Sequence, residues 1–85
     1  MSLKVSINSL FSQKVYEKVE KVFLPSTIGD ATILPEHMSL IAHVDGEVEL
    51  FISEESESGV ETRLEKISVN NAIASVDKDI IEVFS

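Results

Sequence analysis

Apolar residues in this chain recur with a period of two, and that period restricts the fold to strands. Leu3, Val5 and Ile7 alternate with Lys4, Ser6 and Asn8. Side chains of a strand point alternately to opposite faces, so this pattern reads as a half-buried strand. Val48, Leu50 and Ile52 alternate with Glu47, Glu49 and Phe51, and Val60, Thr62 and Leu64 alternate with Glu61, Arg63 and Glu65. After Leu64 the phase slips, because Ile67 and Val69 take the other parity. A slip of one residue predicts a β-bulge, or a strand that passes from one sheet to another.

Turn signals punctuate these runs. Asp45-Gly46 is a turn pair, residues 54–59 form a polar, acidic hairpin tip, and Asp77-Lys78-Asp79 joins the segment 72–76 to 80–84. Short strands with turns this often predict a compact all-β sandwich or barrel. Residues 14–24 carry two periods at once. Val15, Val19 and Val22 have helical spacing, whereas Val19, Lys21 and Phe23 alternate with Glu20, Val22 and Leu24 as a strand would. Pro25 ends the segment in either case.

The 85 residues make a single domain, residues 1–85, without repeat or linker. A chain this short buries only about 60–65% of its unfolded surface, so a partner surface would add to its stability. With 44% hydrophobic and 26% charged residues it is not a disordered chain. It has no cysteine, which excludes a disulfide scaffold and a thiolate metal site. No signal peptide is read at the N-terminus, and no apolar run approaches the roughly 20 residues of a membrane span. Fifteen acidic residues against seven basic ones give a net charge of −8. Nucleic acid needs a basic footprint, so it is excluded as a partner, and an anionic membrane surface would repel the chain.

Candidates for chemistry are few. Neither His37 nor His43 sits in a catalytic motif, and their separation fits no common metal-ligand spacing. Gly29, Gly46 and Gly59 are scattered and read as turn punctuation rather than a phosphate loop. Glu54, Glu55, Glu57 and Glu61 lack the alternation of a calcium loop. No catalytic residue, cofactor or metal is therefore expected, and the chain reads as a binding module. Its least repetitive stretch is residues 29–40, read as a loop. Gly29 permits a sharp turn, Ile33-Leu34 can anchor the loop in the core, and Pro35 fixes the backbone beyond that anchor. Glu36 and His37 then present polar side chains on a rigid support, which is a usual binding arrangement.

The pattern Gly29-x-x-x-Ile33-Leu34-Pro35-x-His37-x-x-Leu40, preceded by Val19-Glu20-Lys21-Val22, resembles the N-terminal domain of the epsilon subunit of rotary ATP synthases, called delta in mitochondria. Residues 67–83 resemble the closing strands of that domain, so the resemblance covers nearly the whole chain. Two departures stand out. Glu36 occupies a position where relatives usually have glycine, and Asn70-Asn71 replaces a frequent Gly-Gly pair. Asparagine is the best non-glycine residue at positive φ, so the second exchange is physically mild.

The resemblance implies a flattened β-sandwich of two five-stranded sheets, with residues 14–24 as a strand. It implies a rotor-stalk subunit that bridges the gamma subunit and the loops of the c-ring and performs no chemistry. Asp30 would face the c-ring, His37 would lie near gamma, and Glu36 and Met38 would flank the gamma contact. Such a subunit is peripheral, on the cytoplasmic face of the bacterial inner membrane or the matrix side in mitochondria, and monomeric when isolated. Family members commonly add a C-terminal helical hairpin that can inhibit hydrolysis. Because the sequence stops at Ser85, a coupling role without that latch is expected. A free-standing β-sandwich adaptor is the alternative.

Overall fold

Two strands of twenty residues each dominate the chain, β4 (His37–Ser56) and β5 (Gly59–Lys78). The other elements are β1 (Leu3–Asn8), β2 (Gln13–Leu24), β3 (Ala31–Ile33) and β6 (Ile80–Phe84). The computed structural model describes residues 2–26 and 29–85, and the side chains of His37 and Met38 lie outside the described residues. A strand of twenty residues extends about 66 Å at about 3.3 Å per residue. The longest dimension of the molecule is 39 Å. The long hairpin must therefore fold over on itself.

It folds where the backbone takes a positive φ. In β4 the residue is Gly46, at φ 127°. In β5 it is Asn71, at φ 55°, as the asparagine pair foretold. The pairing runs from Leu40↔Val76 to Val44↔Ala72, then resumes at Gly46↔Val69 with one extra residue on β5. A third bend lies in β2 at Lys18, with φ 59°. Before it β2 pairs with β1, and after it with β4 and β3. All three long strands thus change layer at a left-handed or glycine-only backbone position, where a bulge turns the strand.

All six strands belong to one continuous sheet of order β1-β6-β5-β4-β2-β3, which the β1–β2 pairing closes into a ring. Folded over, it makes two layers. The first holds β1, β6, the start of β2, residues 72–78 of β5 and residues 37–44 of β4. The second holds β3, the end of β2 and the remaining halves of β4 and β5. Among the described residues this gives five strand segments in one layer and four in the other, rather than the expected five and five. The second layer is smaller because β1 and β6 stay wholly in the first and only the short β3 is added to the second. The all-β sandwich itself stands as expected. Seventeen buried apolar residues fill the space between the layers, drawn from all six strands.

Three readings change. Asp45-Gly46 reverses nothing, because β4 runs through it; the pair marks a bend instead. The phase slip of β5 lies at residues 70–71 and not after Leu64, since pairing is continuous from Leu64↔Phe51 to Ile67↔Val48. Val60 and Leu64 accordingly face solvent. The mixed periodicity of residues 14–24 comes from two irregularities in β2, one opposite Leu3/Val5 and one at residues 19–21. Each inserts a residue, so the inward side chains Tyr16, Val19 and Val22 are spaced by three rather than two. A twice-bulged strand imitates the helical period.

Gly46 is the position with no substitute. A Cβ there would lie 3.3 Å from Pro25 Cγ and 3.4 Å from Pro25 Cβ. The adjacent Asp45 N–H donates to the Pro25 carbonyl at 3.1 Å, so the bend of β4 and the end of β2 are held together. Gly46→Ala combines a glycine-only φ with that close approach. It should destabilise the domain by about 1–3 kcal/mol, read as a lower midpoint in urea with an unchanged slope.

Candidate functional site

The stretch read as a loop, residues 29–40, contains more structure than expected. Ala31–Ile33 forms β3, paired with residues 22–24 of β2, and β4 begins at His37. The cause is Ile33, which is fully buried beside Val22. Leu34, its expected co-anchor, is 54% exposed.

Leu34-Pro35-Glu36-His37 then makes a turn with proline second and a left-handed residue third, Glu36 at φ 64°. That is the arrangement of a type II turn, which favours glycine at the third place. The glutamate keeps the backbone that a glycine would take. Its N–H donates to Asp79 Oδ1 at 2.7 Å, which ties the turn to the β5–β6 connection. The side chain of Glu36 is exposed.

Asp30 is supported elsewhere. Its Oδ1 accepts a hydrogen bond from Ser26 N–H at 3.0 Å. The residue is exposed, so the carboxylate both shapes the loop after β2 and presents charge to solvent. Asp30 and Glu36 therefore hang on different elements, the end of β2 and the turn after β5. The backbone of His37 pairs with Lys78 in the β4–β5 ladder, and the His37 and Met38 side chains lie outside the described residues. His43 is elsewhere again, with a ring nitrogen 2.7 Å from Asn71 Oδ1 across the bend of the hairpin.

Among the described residues no group of three or more histidines and carboxylates could hold a metal, and no polar or charged residue is buried. Arg63 is held in its charged form, its pKa raised by the hydrogen bond from its Nε to Glu54 at 2.5 Å and further by the Glu65 carboxylate. Both contacts are on the surface.

What the structure adds is a face. On the outer side of the first layer, register aligns His43, Ile73, Phe84 and Asn8 in one row, and Ile41, Ser75, Glu82, Ser6 and Val15 in the next. Ile41 is 78% exposed and Ile73 53%. Lys4, Glu17, Asp77 and Glu82 are charges on this face, and the far hairpin carries Glu54, Glu55, Glu57, Glu61 and Glu65. At the edge of the face the β1–β2 turn displays Leu10 and Phe11, the latter 92% exposed. That turn is closed by Ser9 N–H to the Ser12 carbonyl at 2.8 Å and by the two serine hydroxyls at 2.7 Å.

Period-two reading missed the face because it sends one parity inward and assumes the other is polar. A signal was present in Ala72-Ile73-Ala74, where the buried residues are small and the exposed one is large. Leu40-Ile41-Ala42 likewise has apolar residues at both parities. Strands apolar on both sides are strands with both faces to cover.

The fold and this surface define a β-sandwich whose distinctive features are a sheet face and a braced loop end. The chain belongs to the family of the ATP synthase delta/epsilon chain β-sandwich domain, whose model matches residues 2–85. In structure it is similar to a chain in the cryo-EM structure of the Tetrahymena thermophila mitochondrial ATP synthase central stalk and c-ring, with a TM-score of 0.71 at 9% sequence identity. That match covers 99% of this chain and 63% of the other, so the chain spans under two thirds of that relative's length. No curated protein sequence matches it.

The left-handed glutamate gives a direct test of the turn. Glu36→Gly should raise stability by about 0.5–1 kcal/mol, the left-handed penalty of about 1–2 kcal/mol less glycine's extra chain entropy. Asp79→Ala, which removes the acceptor for Glu36 N–H, should lower stability by about 1 kcal/mol. Thermal unfolding of the two variants reads both signs.

Proposed function

We propose that this chain is a central-stalk subunit of a rotary ATP synthase, coupling rotation of the c-ring to the gamma subunit and the catalytic head. Its task is mechanical and it performs no chemistry of its own. The observation that carries the reading is the outer face of the first layer, where Val15, Ile41, Ile73, Ile80 and Phe84 are all exposed. Aliphatic and aromatic side chains exposed together on one face mark an interaction surface. Family membership supports a stalk partner, and the exposed apolar face supports a contact with gamma there.

The loop end supports a second contact. Asp30 is exposed on a loop that its own carboxylate helps to shape, and a fixed acidic side chain suits basic ring loops. Glu36, His37 and Met38 lie at the start of β4, at one end of the apolar face, and are assigned to the gamma side. A subunit with these contacts sits peripherally on the cytoplasmic side of a bacterial inner membrane, or the matrix side in mitochondria. Among the described residues no helix is long and apolar enough to cross a membrane. The isolated domain is monomeric in this reading.

Two contact regions separate a stalk subunit from a free-standing adaptor. Ile73→Lys, on the exposed face, should weaken binding to a gamma-type subunit by about tenfold or more, or about 1.4 kcal/mol. Asp30→Lys should spare gamma binding and weaken engagement of the ring loops. Asp30→Asn, which keeps the oxygen facing Ser26 N–H, separates the charge from the loop hydrogen bond. Calorimetric titration of the folded variants measures each affinity. Failure of the unsubstituted protein to bind gamma at micromolar concentration sinks the stalk reading, and a single contact region favours the adaptor.

A further inference from the structure

The layer crossing of β5 has a support from across the hairpin. Pairing with β4 stops at Val44↔Ala72 and resumes at Gly46↔Val69, so Asp45 alone stands opposite Asn70 and Asn71. Residue type does not choose where the backbone turns left-handed. Both residues are asparagine, which tolerates positive φ better than other side chains. Yet of the two only Asn71 takes it, at φ 55°.

The two asparagines differ in their relation to His43. His43 pairs with Ile73, so Asn71 is its diagonal neighbour on the outer face, whereas Asn70 has the opposite parity. Diagonal neighbours lie about 7–8 Å apart, within reach of a long or aromatic side chain. His43 Nε2 lies 2.7 Å from Asn71 Oδ1, and that oxygen only accepts, so the ring donates from Nε2. Among the described residues this is the only side-chain hydrogen bond that either asparagine makes. An asparagine side chain otherwise competes for nearby backbone groups, and the histidine removes that competition.

We infer that His43 is a positioning residue, which holds Asn71 and thereby fixes the crossing of β5 at that residue. The crossing exchanges the buried parity, from Val69 before it to Ala72 and Ala74 after it. The outward placement of Ile73 beside Ile41 follows from where that exchange occurs. A glycine at residue 71 would take the same backbone angle unaided. The histidine is therefore needed only because residue 71 carries a side chain, and the two residues act as a pair. This holds for the chain by itself, whichever partner covers the face.

Amide hydrogen exchange of the full chain by NMR tests the pairing, comparing the unsubstituted protein with His43→Ala, Asn71→Gly and the double variant. His43→Ala should speed exchange at residues 69–74 by about fivefold or more, as loss of one hydrogen bond loosens the crossing, and should spare residues 48–52. In the Asn71→Gly background the same substitution should change those rates by less than about twofold, because glycine holds the angle without help. His43→Gln, whose amide nitrogen can stand where Nε2 stands, should keep the slow exchange. Equal speeding by His43→Ala in both backgrounds overturns the inference, since His43 would then act by packing and not through Asn71. Unchanged rates in His43→Ala, or speeding by His43→Gln as large as by His43→Ala, overturn it too.

Discussion

Everything in this domain depends on three strands being able to bend. The 20-residue arms of the β4–β5 hairpin and the 12-residue β2 are too long for either layer alone, so each must serve both. Bending a strand needs an extra residue and a backbone angle that most side chains resist. Lys18, Gly46 and Asn71 supply those angles. At Gly46 the demand is strongest, because a φ of 127° strains any other residue and a Cβ would press on Pro25. The same contact fixes the end of β2 against the corner of β4, so one glycine sets the relation of the two layers.

The bends also decide which side chains face out. A bulge exchanges the parity that points inward. In β5 the buried residue is Val69 before the bend and Ala72, Ala74 and Val76 after it. Shifting that exchange from residue 71 to residue 65, with Ala72, Ala74 and Val76 kept inward, would leave Ile67 and Val69 in water. Because the exchange occurs at Asn71, Ile73 is displayed beside Ile41 and Phe84. The exposed apolar face is thus a consequence of where the strand bends and not of an unusual composition.

Strain in the molecule gathers at corners and connections. Of the left-handed non-glycine residues, Lys18 and Asn71 sit at layer crossings, and Glu36 and Lys78 lie close together where β4 begins and β5 ends. Glu36 is held there by its N–H on Asp79, and Asn71 by its side chain on His43. A rigid end next to an apolar face fits a part whose work is to carry load between neighbours, since a flexible joint would dissipate rotation. Asp30 shows the same economy, shaping its loop with the group it presents.

The sequence by itself determined the strand class, the buried sides of β1 and the second half of β4, the acidic hairpin tip and the β5–β6 turn, because alternation and turn chemistry are local properties. It also held the positive φ of residue 71, since an Asn-Asn pair is nearly as permissive as Gly-Gly. The pattern around Pro35 was enough to point to the family. Only the tertiary structure decided where strands change layer, because a bulge costs one residue wherever it falls and neither β2 nor β5 marks its own uniquely. From that followed the exposure of Ile41, Ile73 and Phe84, and the support of Glu36 by a carboxylate 43 positions away. Those features come from pairings between distant segments, which periodicity along a single strand cannot carry.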